Sequence, residues 1–145
     1  MALEVYLYFD GNAREAVEFY SKVFDTPLNE IATYADMPTD SDMAIPENAA
    51  DLIMNTSLMI HGTSVMFSDV YQEMGMDTLS VGNNVALVVS DPSEVVIRNL
   101  FDQLKKGGSV TTELEKTFWS PLYGRVCDKF GIYWETMVYD SAANT

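Results

Sequence analysis

The chain repeats itself. Asn12 is followed three residues later by Glu15, and Asp91 three residues later by Glu94, and each pair opens a run of apolar residues at helical spacing. A shift of 79 residues lays Asn12 on Asp91, Glu15 on Glu94 and Ala16-Val17 on Val95-Val96. Within 145 residues such a shift leaves room for two copies of one supersecondary unit, and this decides the architecture before any detail is considered.

The surroundings of the two boxes agree. Residues 3–9 are rich in Val, Leu, Tyr and Phe and read as a strand, broken by Asp10-Gly11. A helix is predicted over 13–24, with Ala13, Ala16, Val17, Tyr20, Val23 and Phe24 on its apolar side and Pro27 forbidding its continuation. Strands are predicted over 28–34, 52–60 and 64–70, the last two joined as a hairpin through His61-Gly62-Thr63. Between them, residues 36–51 form an acidic loop with room for one short helical turn. After a linker over 75–83 the order starts again. A strand over 85–89 leads to a helix over 92–106, with Asp91 as its cap, Pro92 at its first position and Gly107-Gly108 at its end. Strands over 110–118, 123–129 and 132–139 complete the copy. The reading is an α+β chain forming one domain over 1–145, with a β-α-β-β-β module at about 3–74 and another at about 83–140. One helix over three or four strands cannot close a core alone, so the two modules are expected to pack together.

Composition narrows the function classes. Asp and Glu number 22 against 8 Lys and Arg, giving a net charge of −14, which repels nucleic-acid backbones and anionic membrane surfaces. No apolar run is long enough to span a bilayer, and the N-terminus lacks the basic start of a signal peptide. A single cysteine, Cys127, cannot form an internal disulfide, and a cytoplasmic location is expected.

Several segments carry a resemblance. The run Tyr6-Leu7-Tyr8-Phe9-Asp10-Gly11-Asn12-Ala13-Arg14-Glu15-Ala16, with Phe19-Tyr20 and Phe24 behind it, opens the chain. Ser57-Leu58, Gly62, Val65-Met66 and Ser68-Asp69 follow in the middle. Trp119, Tyr123-Gly124, Asp128-Lys129-Phe130-Gly131 and Trp134 come near the end. In order and spacing these resemble the PhnB-like branch of the vicinal oxygen chelate superfamily, which includes glyoxalase I, extradiol dioxygenases and antibiotic-resistance proteins. The resemblance implies a glyoxalase-like fold, in which two curved mixed sheets make a cup, and a homodimer.

It also implies where a metal would sit. Metal-dependent members hold a divalent cation with one ligand from the first and one from the last strand of each module. Carried over residue by residue, those positions fall on Val5, on Met66 or Phe67, on Asn84 and on Glu135. Val5 and Phe67 have no lone pair, Met66 is a poor donor to a hard cation, and Asn84 is weak. A lone carboxylate does not replace the several oxygen or nitrogen ligands such ions require. No metal and no other cofactor is therefore expected. The residues expected to line the cup and contact a small molecule are Val5, Leu7, Phe67, Asn84, Trp119, Tyr123, Tyr133 and Glu135.

Strand alternation puts Tyr133, Glu135 and Met137 on one face and Trp134, Thr136 and Val138 on the other. If the first face lines the cup, Glu135 is a candidate general acid or base; alternatively it lies at a dimer rim or pairs with Arg125. His61, the only histidine, falls in a turn and has no triad partners. Cys127 reads as a structural thiol, although Arg125 and Lys129 share its face. No G-x-G-x-x-G, P-loop or H-E-x-x-H occurs, so the methyltransferase label that some PhnB-like proteins carry is not adopted. Two functions remain: metal-independent binding of a small, partly apolar molecule, or a lyase, isomerase or dioxygenase using Glu135 or a displaced metal. A cup filled by its own side chains would make the chain an interaction module instead.

Overall fold

The computed structural model describes residues 1–37 and 45–140, so part of the expected acidic loop lies outside the described residues. The chain divides into two compact units, Met1–Ser80 and the residues from Val81 onward.

The first unit runs β1 (Val5–Phe9), α1 (Ala13–Val23), β2 (Ala32–Thr33), a 3-10 turn (Tyr34–Asp36), α2 (Glu47–Ala50), β3 (Ile53–Ile60), β4 (Thr63–Asp69) and a second 3-10 turn (Gln72–Met74). Its sheet order is β1-β4-β3-β2, with β1 parallel to β4 and the other pairs antiparallel. Ile60 pairs with Thr63, so the hairpin turns on two residues. His61 at φ 46° and Gly62 at φ 82° both lie in the left-handed region that a tight hairpin turn demands. The expected strand over 28–34 is reduced to Ala32–Thr33. The chain before it is fastened to β3 by side chains: Thr56 Oγ1 donates to the Glu30 carbonyl, and Asn29 Nδ2 to Ser57 Oγ.

Helix α1 buries Ala13, Ala16, Val17, Tyr20 and Val23. Tyr20 meets Phe67 at 5.8 Å between ring centroids, and Phe9 meets Phe67 at 6.1 Å. The Asn12 side chain makes no cap hydrogen bond. Buried Asp69, at the end of β4, takes over that work. Its Oδ1 accepts from the Gly11 and Ala13 N–H groups at 2.9 and 3.0 Å, and its Oδ2 accepts from the Ile53 N–H at 2.9 Å.

The second unit runs β5 (Leu87–Asp91), α3 (Glu94–Leu104), β6 (Ser109–Glu115), β7 (Tyr123–Cys127) and β8 (Tyr133–Val138). Its sheet order, β5-β8-β7-β6, repeats that of the first, again with the outer pair β5 and β8 parallel. The expected cap on Asp91 is corrected. Asp91 is the last residue of β5, and the helix starts two residues later than the capping pattern predicts. Ser93 is the cap and accepts from the Val96 N–H, while Asp91 Oδ1 accepts from the Ser93 N–H at 2.7 Å. Ile97, Leu100, Phe101 and Leu104 form the buried side of α3. The turn into β8 is fixed by Asp128, which accepts from the Phe130 and Ile132 N–H groups and from Trp134 Nε1. Two such β-α-β-β-β units, each with a four-stranded mixed sheet, give the α+β class expected from the sequence.

Candidate functional site

The second sheet has a face that α3 covers and a face that it does not. Gly124, Val126, Trp134, Thr136 and Val138 are buried on the helix side. Gly124 allows this packing to be close: a Cβ there would meet the Phe101 ring at 2.7 Å and the Leu114 side chain at 2.9 Å. By alternation, Tyr123, Arg125 and Cys127 of β7 and Tyr133, Glu135 and Met137 of β8 take the opposite, open face, where all six are half-buried.

Register sets their neighbours. Arg125 pairs directly with Glu135, Tyr123 with Met137, and Cys127 with Tyr133. On the outer side of β8, Val88 of β5 stands beside Glu135. The diagonal reach across β7 and β8 lets the Tyr123 hydroxyl donate to Glu135 Oε1 at 2.5 Å. Arg125 Nε lies 3.9 Å from the same oxygen, the two side chains being 26% and 28% exposed. Partial exposure keeps this ion pair weak and leaves its members available to a third group. The guanidinium carbon sits 4.4 Å from the Tyr133 ring centroid, a cation–π contact that holds the fork flat. Trp119 stands edge-on to Tyr123 at 5.4 Å and is 54% exposed.

Desolvation, followed by the hydrogen bond to Glu135 and the charge of that carboxylate, pushes the Tyr123 phenol up to about 12, with Arg125 opposing the shift. Tyr123 is therefore a fixed donor at neutral pH. Glu135 Oε2 has no partner among the described residues and is left as an acceptor. The open face thus offers one acceptor and one guanidinium fork against an aromatic wall.

Of the residues expected to contact a ligand, Trp119, Tyr123, Tyr133 and Glu135 come together here. Val5, Leu7 and Phe67 belong to the first unit, and Asn84 lies ahead of the second sheet. Phe67 is fully buried against Tyr20 in the first unit's core. Val5 and Leu7 share the face of Phe9 and Phe67, because Val5 pairs with Val65 and Leu7 with Phe67 in the parallel register. The open face of β1 carries Tyr6 and Tyr8 instead, stacked at 4.6 Å, with the Tyr6 hydroxyl accepting from Asn55 Nδ2 at 2.9 Å. Asn84 is exposed and precedes β5 by three residues. His61 lies at the hairpin tip with its ring against the edge of Phe24. The alternative pairing of Glu135 with Arg125 is met in the structure, whereas Val88 was not singled out by the sequence; cross-strand register is the signal that finds it.

The same register tests the fit to a metal. The open-face residues on the first and last strands are Tyr6 beside Met66 in one unit and Val88 beside Glu135 in the other. Neither pair, a phenol with a thioether or a hydrocarbon with a carboxylate, makes a divalent-cation donor set. Among the described residues no group of three His, Cys, Asp or Glu side chains could hold a metal ion.

With the geometry established, the chain can be set beside known proteins. A sequence model of the 3-demethylubiquinone-9 3-methyltransferase family matches residues 2–137. Protein YjdN of Escherichia coli K12 is 28% identical over 143 residues, covering 92% of each chain. The crystal structure of protein PA1353 from Pseudomonas aeruginosa is similar with a TM-score of 0.79 at 27% identity, over 94% of this chain and 98% of that one. A Bacillus cereus PhnB protein, described as a 3-demethylubiquinone-9 3-methyltransferase, shares the fold with a TM-score of 0.76 at 22% identity, over 96% of this chain and 100% of that one. With the match spanning nearly every element of both units, the chain belongs to the PhnB-like family described as 3-demethylubiquinone-9 3-methyltransferase, within the glyoxalase-like fold.

Proposed function

We propose that this protein binds a small, partly apolar molecule on the open face of its second sheet, without a metal ion. The observation that carries the reading is the half-buried group of Tyr123, Glu135 and Arg125 between aromatic side chains. A few placed polar groups in an aromatic surround are what a small-molecule site requires. A ligand giving an O–H or N–H to Glu135 Oε2, and offering an oxygen to Arg125, would lie against Trp119, Tyr133 and Met137. The turn glycines with positive φ sit one to a turn, at Gly11, Gly62, Gly75, Gly107 and Gly131, and none builds a phosphate-cradling loop. Methyl transfer is accordingly not part of the proposal. Each sheet ends in strands paired on one side only within that sheet, β1 and β2 or β5 and β6, and the proposal includes a homodimer that helps to cover such edges.

The test is a fragment screen by ligand-observed NMR on the intact chain, with the affinities of the hits measured by NMR titration. Hits pairing an aromatic ring with a hydroxyl or amide should weaken about tenfold in Glu135→Ala and in Trp119→Leu. Affinity unchanged from the parent chain in both variants would remove the site. Excess Ni²⁺, Zn²⁺ or Mn²⁺ should leave the melting temperature unchanged, whereas a site filled at 100 times its Kd would add about 2.7 kcal/mol. A saturable shift abolished by Glu135→Ala would favour the metal-assisted enzyme instead.

A further inference from the structure

The first unit contains a cavity of about 370 Å³, within the size range of small-molecule pockets. Tyr8, Val70 and the segment from Gly75 to Ser80 line it. That segment is built rather than loose. After the 3-10 turn Gln72–Met74 the chain reverses at Gly75, and Gln72 Nε2 donates to Thr78 Oγ1 at 3.1 Å across the loop. Met76 is pinned through its sulfur, which accepts from the Tyr71 N–H at 3.2 Å and the Tyr34 hydroxyl at 3.3 Å. Tyr8 is held by its stack on Tyr6, so each part of the lining has contacts of its own.

The lining divides by chemistry. Val70, Met76, Leu79 and the Tyr8 ring are apolar, whereas Asp77 contributes a carboxylate and the pocket contains no cationic side chain. Among the described residues neither the Tyr8 hydroxyl nor the Asp77 carboxylate has a hydrogen-bond or ion-pair partner. An aromatic face beside an unpaired carboxylate, in a chain of net charge −14, selects positive charge both locally and at long range. We propose that this cavity is an organic-cation site: it takes an ammonium group carried on a short apolar or aromatic body. The ammonium lies between Asp77 and the Tyr8 ring, and the body lies against Met76 and Leu79. The volume accommodates an arylalkylammonium.

The experiment titrates the intact, ¹⁵N-labelled chain with three isosteric probes: phenethylammonium, neutral 2-phenylethanol and anionic 3-phenylpropanoate. The cation should bind saturably, move the amides of Val70 and residues 75–80, and outrank the alcohol, with the anion weakest. Asp77→Asn should cost the cation about fivefold in affinity and leave the alcohol unchanged, while Tyr8→Leu should weaken both. Asp77 is exposed, so its variant keeps the test valid even if Tyr8→Leu disturbs the strand. Equal binding of the three probes, shifts centred elsewhere, no shift at millimolar phenethylammonium, or an Asp77→Asn variant that binds the cation unchanged would overturn the proposal.

Discussion

The two units solve one problem in two ways. Each must seat a helix on its sheet and satisfy the N–H groups at that helix's start. At matching ends of the parallel strand pair, the first unit sets Phe9 beside Asp69 and the second sets Asp91 beside Val138. The carboxylate has changed strands. In the first unit it comes from the far strand and ties the start of α1 to β3 as well. In the second it sits just ahead of the helix and secures only the turn, leaving the cap to Ser93. One arrangement is long-range and shared among three segments; the other is local and divided between two side chains.

Removing each device measures that difference. Asp69→Ala strips three backbone N–H groups of their acceptor at a site 2% exposed, and should destabilise the chain by about 4 kcal/mol or abolish soluble expression. Ser93→Ala should cost only about 1 kcal/mol, the ordinary value of an N-cap. Urea unfolding of the two variants gives the comparison directly. Equal losses would mean that Asp69 acts as a cap and nothing more.

Core packing at the matching register differs too. The first sheet pairs Thr56 with Phe67, and the second pairs Gly124 with Thr136. A bulky sheet residue in one unit becomes a bulky helix residue in the other, because Phe101 closes onto Gly124. Gly124→Ala should therefore overpack this contact and cost about 2 kcal/mol. A neutral or stabilising result, read by thermal unfolding, would show that the Phe101 ring moves aside freely.

These pairings also show what the sequence could and could not disclose. The duplication, both helices and the hairpin at His61-Gly62 were legible, because periodicity and turn chemistry are local. The start of α3 was misplaced by two residues because Asp91 and Ser93 both suit a cap; Pro92 biases Asp91 to extended backbone, and the pairing of Asp91 with Val138 decides for Ser93. The open face of β8 was legible from strict alternation, since Trp134, Thr136 and Val138 all bury. That of β1 and β4 was not, because Val5, Leu7 and Phe67 are as apolar as their neighbours and only Tyr20 of α1 fixes the buried side. Asn84 was placed through the resemblance, as the position matching a ligand at the start of the second module. The strands align at a different shift from the capping boxes: Tyr6 corresponds to Val88, not to a residue near 84.

The open faces provide the finest contrast. The first unit's hydroxyl at Tyr6 receives a neutral hydrogen bond from Asn55, whereas the second unit's Tyr123 gives one to a carboxylate. Desolvation is the largest cause of the rise of Tyr123 to about 12, ahead of the Glu135 hydrogen bond. Glu135→Gln should thus lower the Tyr123 pKa without returning it to the ordinary value near 10. Titration of ¹³Cζ-labelled tyrosines by NMR resolves this residue from the other seven. The same shift predicts a pH dependence of stability. Folding favours the protonated phenol, so its contribution is full below about pH 10, where the unfolded chain also keeps its proton. It is then lost as pH rises toward about 12, where the folded chain releases the proton as well. In Tyr123→Phe that part of the alkaline loss should vanish while the neutral-pH fold remains. If Glu135→Gln instead brought Tyr123 fully back to 10, the carboxylate rather than burial would control the phenol, and the open face would be wetter than its aromatic wall implies.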